Sequence, residues 1–250
     1  MVKCTRHAVA TARSALLITL KGLPFTFSKD MQRTRLIDDA VLEFVERGGR
    51  QVLLLGAGYD CRAQRLTDRL ADARVFEVDH PVTQARKRAV LGEPQSSTWL
   101  AWDFETRALE ALPAALAAVQ HSAAEPTLAI WEGVSMYLQE PAVDATVRAL
   151  ETLCATGSRL VFTYIDRERV HARGLLRRVR RRWLAAKGEP VVFGFDPQAL
   201  PAWLAARGFE LERDVSLAAA ARTLLPGRHA ALLDEHQQHH VAWARRVAGP

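Results

Sequence analysis

The chain has 250 residues, a length that suits one α/β domain with appendages better than two full domains. Its composition, 49% hydrophobic and 25% charged, is that of a globular protein with a buried core, and it excludes collagen-like or disordered chains. The formal net charge of +6 would suit an anionic partner, but so modest a value more often reflects a basic surface without one.

Cysteine spacing and hydropathy indicate the cellular compartment of the protein. Cys4, Cys61 and Cys154 are far apart and form no CxxC pair, which predicts neither a disulfide framework nor a zinc site. The apolar run over 15–20 is too short to span a bilayer, and no small-residue cleavage site follows it. We therefore expect a cytoplasmic protein that has no membrane partner.

The predicted elements alternate along the chain. Helical spacing of apolar residues predicts a helix near Ala8–Leu20 and another over Asp30–Val45. Apolar runs then predict strands at Gln51–Leu55, Arg74–Val78, Thr98–Trp102, Thr127–Trp131, Arg159–Ile165, Phe209–Val215 and His240–Val247. Predicted helices between them are Asp60–Leu70, Pro81–Leu91, Glu105–Val119, Glu140–Leu153 and Pro197–Arg207. This succession predicts an α/β fold, a Rossmann-like, doubly wound, mostly parallel seven-stranded sheet with helices on both faces.

A glycine turn follows the first strand. Gly56 and Gly58 let the backbone bend tightly and approach a ligand closely. The helix expected to start near Asp60 would point its free N–H groups into the same space. Asp79 ends the second strand about 20 residues beyond the turn, where a carboxylate typically binds the hydroxyls of a ribose. The pattern predicts a nucleoside site.

Two residues indicate which nucleoside binds. A dinucleotide turn prefers glycine or alanine at the third small position, where this chain has Cys61. Asp60 would also place a negative charge near a pyrophosphate. S-adenosylmethionine has no phosphate and carries cationic groups that acidic residues suit, so we predict this cofactor and keep an NAD(P)-dependent oxidoreductase as an alternative.

Several motifs occur together in one order. They are Arg33-Thr34 with Ile37-Asp38-Asp39, Leu54-Leu-Gly-Ala-Gly-Tyr-Asp with Arg62 and Arg65-Leu66, Phe76-Glu-Val-Asp-His-Pro-Val, Trp102-Asp-Phe, Glu132-Gly-Val-Ser-Met-Tyr-Leu, Phe193-Gly-Phe-Asp-Pro and His240-Val-Ala-Trp-Ala. In this combination the chain resembles the leucine carboxyl methyltransferase family, small bacterial members included, from about residue 30 onward.

The resemblance implies roles at the cofactor. Arg33 would bind the carboxylate of the methionine end, with Arg35 as the fallback in another register. Glu132 would lie within reach of the cofactor's amino group. The implied cofactor-binding residues are Arg33, Gly56, Ala57, Gly58, Asp79, His80, Asp103, Phe104 and Glu132.

Three of these roles have structural alternatives. Asp103 would accept a hydrogen bond from the adenine amino group, with Phe104 or Trp102 against the ring, or it could cap a helix before Glu105. Tyr137 would lie near the transferred methyl as a catalytic residue, or it could pack in the core. Arg33 could be a solvated helix residue.

The substrate is less constrained by the sequence. A carboxylate acceptor is ionised at neutral pH and needs no base, whereas a hydroxyl does, and no His/Asp constellation clearly supplies one. The insertion after the fifth strand, Arg167–Arg182, is rich in arginine, and we expect Arg173 to pair with an anionic substrate unless the segment is a solvated basic face. Without interleaved aromatic residues beyond Trp183, nucleic-acid binding is disfavoured.

The hypothesis is therefore an O-methyltransferase that acts on a carboxylate of a small acidic metabolite, with a hydroxyl of a natural product as the alternative. We expect one methyltransferase domain over 1–250, a monomer or homodimer: N-terminal helices over 1–47, a cofactor-binding core over 48–165, a helical lid insertion over 166–195 and closing strands over 196–250. His236 and His240 have helical ligand spacing but no evident third ligand, so no metal is predicted.

Overall fold

The structure is a computed structural model, and it describes residues 25–70, 72–94, 96–104, 106–171, 191–224 and 239–248. The helix predicted near Ala8–Leu20 lies outside these ranges. So does most of the arginine-rich insertion, including Arg173. Only the first turn of that insertion, Arg167–His171, is described as a helix.

Seven strands form one open sheet. They are β1 (Gln51–Leu55), β2 (Arg74–Asp79), β3 (Thr98–Ala101), β4 (Thr127–Trp131), β5 (Arg159–Ile165), β6 (Phe209–Ser216) and β7 (His239–Arg246). Their order is β3-β2-β1-β4-β5-β7-β6, and β1 to β5 pair in parallel. β7 lies antiparallel between β5 and β6. The predicted Rossmann-like, mostly parallel seven-stranded fold is confirmed.

The helices cover both faces of this sheet. They are α1 (Phe25–Glu46), α2 (Arg62–Arg65), α3 (Thr67–Leu70), α4 (Pro81–Leu91), α5 (Leu112–Ala118), α6 (Glu140–Leu153), α7 (Arg167–His171), α8 (Leu200–Ala205) and α9 (Leu217–Leu224). Successive strand residues point to opposite faces. In β1, Leu53 and Leu55 join the core formed with α5, α6 and α8. Val52 and Leu54 join the core formed with α1, α2, α3 and α9. Burial on both faces explains why the strands are continuous apolar runs.

Proline accounts for two helices that are shorter than predicted. Proline lacks a backbone N–H and is tolerated only in the first turn of a helix. Pro113 stands at the start of α5, so the predicted helix Glu105–Val119 becomes a 3₁₀ turn over Leu109–Ala111 followed by α5. Pro201 stands at the start of α8, which begins at Leu200 rather than at Pro197.

The predicted helix Asp60–Leu70 is also wrong as one element. It consists of α2 and α3, and it starts at Arg62 rather than Asp60. Asp60 stays in the turn, where its Oδ1 accepts a hydrogen bond from the Arg62 N–H at 2.7 Å. A side chain that bonds its local backbone favours a turn over a continuing helix.

Within the described part of the chain, no helix combines the length and apolar character that crossing a bilayer requires. The division of the chain into four segments stays a prediction.

We expect Leu53→Ala to lower the free energy of unfolding by about 2–5 kcal/mol, because Leu53 is fully buried at the centre of the sheet and its truncation leaves a cavity. Urea denaturation measures this loss. Val82→Ala is the matched control: Val82 is half exposed on α4, and its truncation should change the free energy by less than about 0.5 kcal/mol. Equal losses in both variants would contradict the burial assignment.

Candidate functional site

The candidate site lies where the strand order reverses. β1 and β4 are neighbours, and the chain leaves them toward opposite edges of the sheet. In open α/β sheets this point, at the carboxyl ends of the strands, is where ligands bind. A cavity of about 530 Å³ opens there, within the range of small-molecule pockets, about 300–1,000 Å³. Its polar lining includes Arg33, Asp60, Arg62, Arg65 and Glu132.

The glycine turn forms one wall of the cavity. Gly56 and Gly58 have φ of 65° and 51°, the left-handed region that favours glycine. A Cβ at Gly56 would also lie 2.5 Å from a methyl group of Val134. The N–H groups of Gly56 and Ala57 both donate to the Val78 carbonyl, at 2.8 and 3.2 Å, so the turn is tied to β2.

Asp79 supports this turn from the end of β2. Its Oδ2 accepts a hydrogen bond from the Gly58 N–H, and its Oδ1 accepts one from the His80 N–H at 2.5 Å. Asp79 is almost completely buried. A carboxylate oxygen can accept two hydrogen bonds, so each oxygen keeps one further acceptor position, and the ribose-binding role of Asp79 stays a prediction.

The ends of β2 and β3 hold the residues predicted for the adenosine part. His80 caps α4, because its Nδ1 accepts a hydrogen bond from the Val82 N–H at 3.2 Å. Its Nε2 lies 3.7 Å from Asp103 Oδ2. Phe104 is partly buried against the core beside them. The lining of the cavity does not include Asp79, His80, Asp103 or Phe104, although Asp79 contacts the glycine turn that forms one wall.

The expectation that Trp102 could lie against adenine is wrong. Its side chain is fully buried in the core, and the Arg107 guanidinium covers the indole at 3.8 Å from the ring centroid. The cation covers one face of the indole, and because the ring is fully buried its other face is closed as well. Phe104 is left as the predicted aromatic partner.

A network of ion pairs forms the opposite wall. Glu132, directly after β4, accepts hydrogen bonds from Arg33 Nε at 2.5 Å and from Arg62 Nη1 at 2.6 Å. Arg62 Nε also donates to Asp38 Oδ1 at 2.9 Å, and Arg62 Nη1 donates to Asp60. Arg65 binds both oxygens of Asp38, at 2.6 and 2.8 Å. These six side chains, the arginine–carboxylate network, bring together α1, α2, the glycine turn and β4.

Burial sets the electrostatics of this network. Burial alone would raise the pKa of Glu132, but the charges of Arg62 and Arg33 outweigh it and hold the pKa below its usual range. Burial would lower the pKa of Arg62, and the carboxylates of Asp60, Glu132 and Asp38 more than compensate and raise it. Both groups are therefore charged at neutral pH.

Arg33, rather than Arg35, faces the site. Arg33 is about one-third exposed and lines the cavity, whereas Arg35 is mostly exposed and lies 3.7 Å from Asp39 on the same helix. Arg35 therefore points away from the cavity, and Arg33 is not a solvated helix residue. Of the predicted cofactor-binding residues, the cavity brings together Arg33, Gly56, Ala57, Gly58 and Glu132.

Tyr137 lies in a 3₁₀ turn over Ser135–Tyr137 and is 39% exposed, so core packing does not explain it. Its predicted place beside the transferred methyl stays a prediction, as does the role of Arg173.

The sequence interpretation missed Arg62, Asp38 and Asp60 as site residues. All three belong to the motifs that carry the family resemblance, which was the available signal. Cys61, beside them, also lines the cavity.

A histidine–aspartate pair was also missed. His240 Nδ1 lies 3.0 Å from Asp214 Oδ1, and Tyr164 donates to Asp214 Oδ2 at 2.5 Å. The Tyr164 and His240 rings stack at 4.7 Å. His240 pairs with Tyr164 near the carboxyl end of β5, at the same edge of the sheet as the cavity. Burial and the Asp214 carboxylate raise the pKa of Tyr164, so its phenol is neutral.

Among the described residues, no cluster of histidine, cysteine, aspartate and glutamate could hold a metal ion.

The fold and the site define an open α/β protein of the methyltransferase type, and two solved structures share that fold. One is a crystal structure titled a putative methyltransferase from Thermobifida fusca, with a TM-score of 0.64, 21% identity, and 94% of this chain and 88% of the other covered. The other is a DUF574 family protein from Streptomyces avermitilis, with a TM-score of 0.62, 19% identity, and 97% and 90% covered.

The family follows from sequence matches. The model of the family described as "Leucine carboxyl methyltransferase" matches residues 26–151, half of the chain. A relative from Frankia alni, named "Putative S-adenosyl-L-methionine-dependent methyltransferase", is 33% identical over 183 residues, 72% of this chain and 61% of the relative. A relative of the same name from Streptomyces coelicolor has the same identity over 183 residues, 71% of this chain and 61% of the relative. The match thus spans less than two thirds of these relatives. The chain belongs to the leucine carboxyl methyltransferase family, as its motifs predicted.

We expect Glu132→Gln to lower the free energy of unfolding at pH 7 by an amount on the order of 3 kcal/mol, because two arginines lose their shared carboxylate. A lowered pKa in the folded state means that the ion pairs stabilise the fold above the ordinary glutamate range. That stabilisation is lost as the pH falls through the lowered pKa. Urea denaturation at pH 7 and at about pH 3 measures both effects.

The control is Asp39→Asn, which removes an exposed carboxylate from α1, the helix that carries Arg33. It should lower the free energy of unfolding by less than about 0.5 kcal/mol. If Glu132→Gln costs the same at both pH values, the Glu132 carboxylate is not the titrating group.

Proposed function

We propose that this chain is an S-adenosylmethionine-dependent O-methyltransferase, and that it methylates a carboxylate of a small acidic metabolite. The observation that carries the proposal is the cavity between the glycine turn and the arginine–carboxylate network, beside Asp79. Family membership and the names of the curated relatives support the same cofactor.

The charges of the cavity fit this cofactor. A methionine end carries one carboxylate and one ammonium, and the cavity offers a guanidinium, Arg33, in contact with a carboxylate, Glu132. Arg33 would bind the carboxylate with charge-assisted hydrogen bonds. Glu132, held ionised by Arg62, would bind the ammonium. Asp79 would bind the ribose hydroxyls, and Asp103 and Phe104 would contact the adenine.

The glycine turn fits a ligand without phosphate. A Cβ at Gly58 would lie 3.9 Å from Asp79 Oδ2, in the space between the turn and the ribose-binding carboxylate. The Asp60 side chain faces Arg62 and the Arg62 N–H. Helix α2 is four residues long and starts beyond Asp60, so it presents no extended N-terminus to a pyrophosphate. These features disfavour the NAD(P)-dependent oxidoreductase.

When bound, the sulfonium supplies an activated methyl group with a neutral thioether as its leaving group. Transfer would exchange the bond between the methyl carbon and sulfur for a bond to the acceptor oxygen, and the electron pair of the broken bond would stay on sulfur. The protein's task is alignment and exclusion of water. The Arg33–Glu132–Arg62 contacts would hold the methionine end, and Tyr137 would be the residue near the transferred methyl.

A carboxylate acceptor needs no proton transfer, because it is ionised at neutral pH. The arginine-rich insertion would supply the countercharge for such an acceptor, with Arg173 as the first candidate. The acidic substrate, the absence of nucleic-acid partners, the monomeric or dimeric state and the cytoplasmic location are parts of this proposal.

One observation favours a second acceptor, a hydroxyl. The Asp214–His240 pair is arranged as a carboxylate that orients an imidazole, which is how enzymes build a general base for a hydroxyl. The pair lies near the carboxyl end of β5, and the arginine-rich insertion directly follows this strand. A hydroxyl O-methyltransferase would use His240 to accept the acceptor's proton.

We expect Arg33→Ala to weaken the binding of S-adenosylhomocysteine ten-fold or more, on the order of 1.4 kcal/mol, because the carboxylate of the methionine end loses its partner. Titration calorimetry measures the dissociation constant. Arg35→Ala, on the exposed side of the same helix, is the control and should bind like the parent. Equal affinity in Arg33→Ala would contradict the assignment, and no saturable binding by the parent would overturn the proposed cofactor.

Screening small acids and phenols with radiolabelled S-adenosylmethionine should yield a product that mild alkali hydrolyses, because methyl esters are labile and methyl ethers are not. His240→Gln should then retain turnover, since no base is needed. An alkali-stable product whose formation falls in His240→Gln, and recovers at high pH, where the hydroxyl ionises without a base, would replace the carboxylate acceptor by a hydroxyl.

A further inference from the structure

A buried ion pair lies beneath the glycine turn and takes no part in the site described so far. Lys87 of α4 and Glu77 of β2 are each 1% exposed, and Lys87 Nζ donates to Glu77 Oε2. A second N–H of the same ammonium donates to the backbone carbonyl of Asp60, at 2.5 Å. The pair therefore connects the interior of the β2–α4 unit to the glycine turn.

The second carboxylate oxygen of Glu77, which does not contact Lys87, also has a hydrogen-bond partner. Glu77 Oε1 accepts a hydrogen bond from Ser97 Oγ at 2.8 Å, and Ser97 Oγ accepts one from Trp99 Nε1 at 2.9 Å. The ammonium also lies 5.1 Å from the centroid of the Trp99 ring. A chain of polar contacts thus runs from the start of β3 through the interior to the turn.

Stability alone does not account for this arrangement. Taking two charges out of water is costly, and apolar side chains of similar volume in place of a buried ion pair are often neutral or stabilising. An apolar side chain, however, cannot donate a hydrogen bond to the Asp60 carbonyl. What the ion pair adds is a fixed donor for one peptide group of the turn.

Asp60, whose carbonyl Lys87 binds, is also connected to the arginine–carboxylate network. The Asp60 N–H donates to the Ala57 carbonyl at 2.8 Å, so with Lys87 on its carbonyl the residue is held at both ends. The Asp60 side chain in turn binds the guanidinium of Arg62, which binds Glu132. Lys87 is thus linked to the carboxylate at the methionine end through Asp60 and Arg62.

We propose that Lys87, held by Glu77, is a positioning residue for the cofactor site: its ammonium fixes the Asp60 peptide, and through it the arginine–carboxylate network. The inference rests on the proposed cofactor. Its consequence is that cofactor affinity and loop order depend on a side chain that does not line the cavity and touches no ligand.

The test is the double variant Glu77→Gln with Lys87→Met, which removes both charges together and preserves volume. We expect its melting temperature to stay within a few degrees of the parent's, while the dissociation constant for S-adenosylhomocysteine rises at least ten-fold. Without ligand, amide hydrogen exchange at Asp60 and Arg62 should become at least ten-fold faster, which a merely structural role would not produce selectively.

Gln84→Met is the matched control. Gln84 is buried on the same helix and donates to the carbonyls of Glu77 and Leu100 at 3.0 Å, without a contact to the turn. It should lower stability and leave both the affinity and the exchange of the turn unchanged. An equal effect on the turn in this control would overturn the proposal.

Should the double variant not fold, Ser97→Ala provides the test: it removes the outer hydrogen bond of Glu77 and the acceptor of Trp99 Nε1, and it keeps both charges of the buried pair. A two- to five-fold loss of affinity with faster exchange at Asp60 is expected, and parental values would overturn the proposal. Failure of the parent to bind S-adenosylhomocysteine would refute the proposed cofactor instead, and the exchange measurement would still decide whether Lys87 orders the turn.

Discussion

The Glu132 carboxylate is shared by two arginines from distant parts of the chain, and the geometry of the candidate site depends on it. Arg33 comes from the helix before the sheet, and Arg62 from the short helix after the glycine turn. Two guanidinium groups this close repel each other unless an anion lies between them. Because Arg62 is buried, its charge needs all three carboxylates around it. The site can therefore form only when α1, the turn and β4 are all in place.

The remaining parts of the site are tied to the sheet more directly. The turn is fixed by the Val78 carbonyl and by Asp79, both at the end of β2, and from beneath by Lys87. Neighbouring parallel strands thus supply a rigid frame, and the arginine–carboxylate network closes one side of it. The proposed roles follow this division: the end of β2 would bind ribose, and the network would bind the charged methionine end.

Much of the fold could be predicted from local pattern. β1, β4 and β5 are buried on both faces, so their apolar runs end where the strands end, and the predicted bounds match. The predicted starts of α5 and α2 were wrong because a single residue set the observed start. Pro113 stands in the first turn of α5, and the Asp60 side chain accepts a hydrogen bond from the backbone before α2 continues. The glycine turn and Asp79 were predicted from their spacing at strand ends, whereas Arg33, on helix α1, and Glu132 were predicted from the family resemblance.

The rest of the site depends on contacts that spacing does not reveal. Arg62 and Asp38 lie 24 positions apart and are joined only by the tertiary fold, so neither could be recognised as half of an ion pair. The same holds for Asp214 and His240, which meet because β7 lies beside β6. Trp102 belongs to the expected motif, yet its indole is turned into the core.

The position of β7 has a consequence for how the chain folds. β6 precedes β7 in sequence but reaches the sheet only through it, since β7 pairs with β5 on one side and β6 on the other. Until β7 docks, the N–H and C=O groups along one edge of β5 have no strand partner, and β6 has nothing to pair with. Exposed strand edges of this kind promote aggregation. Docking of β7 therefore covers the edge of β5 and gives β6 its partner in the same step.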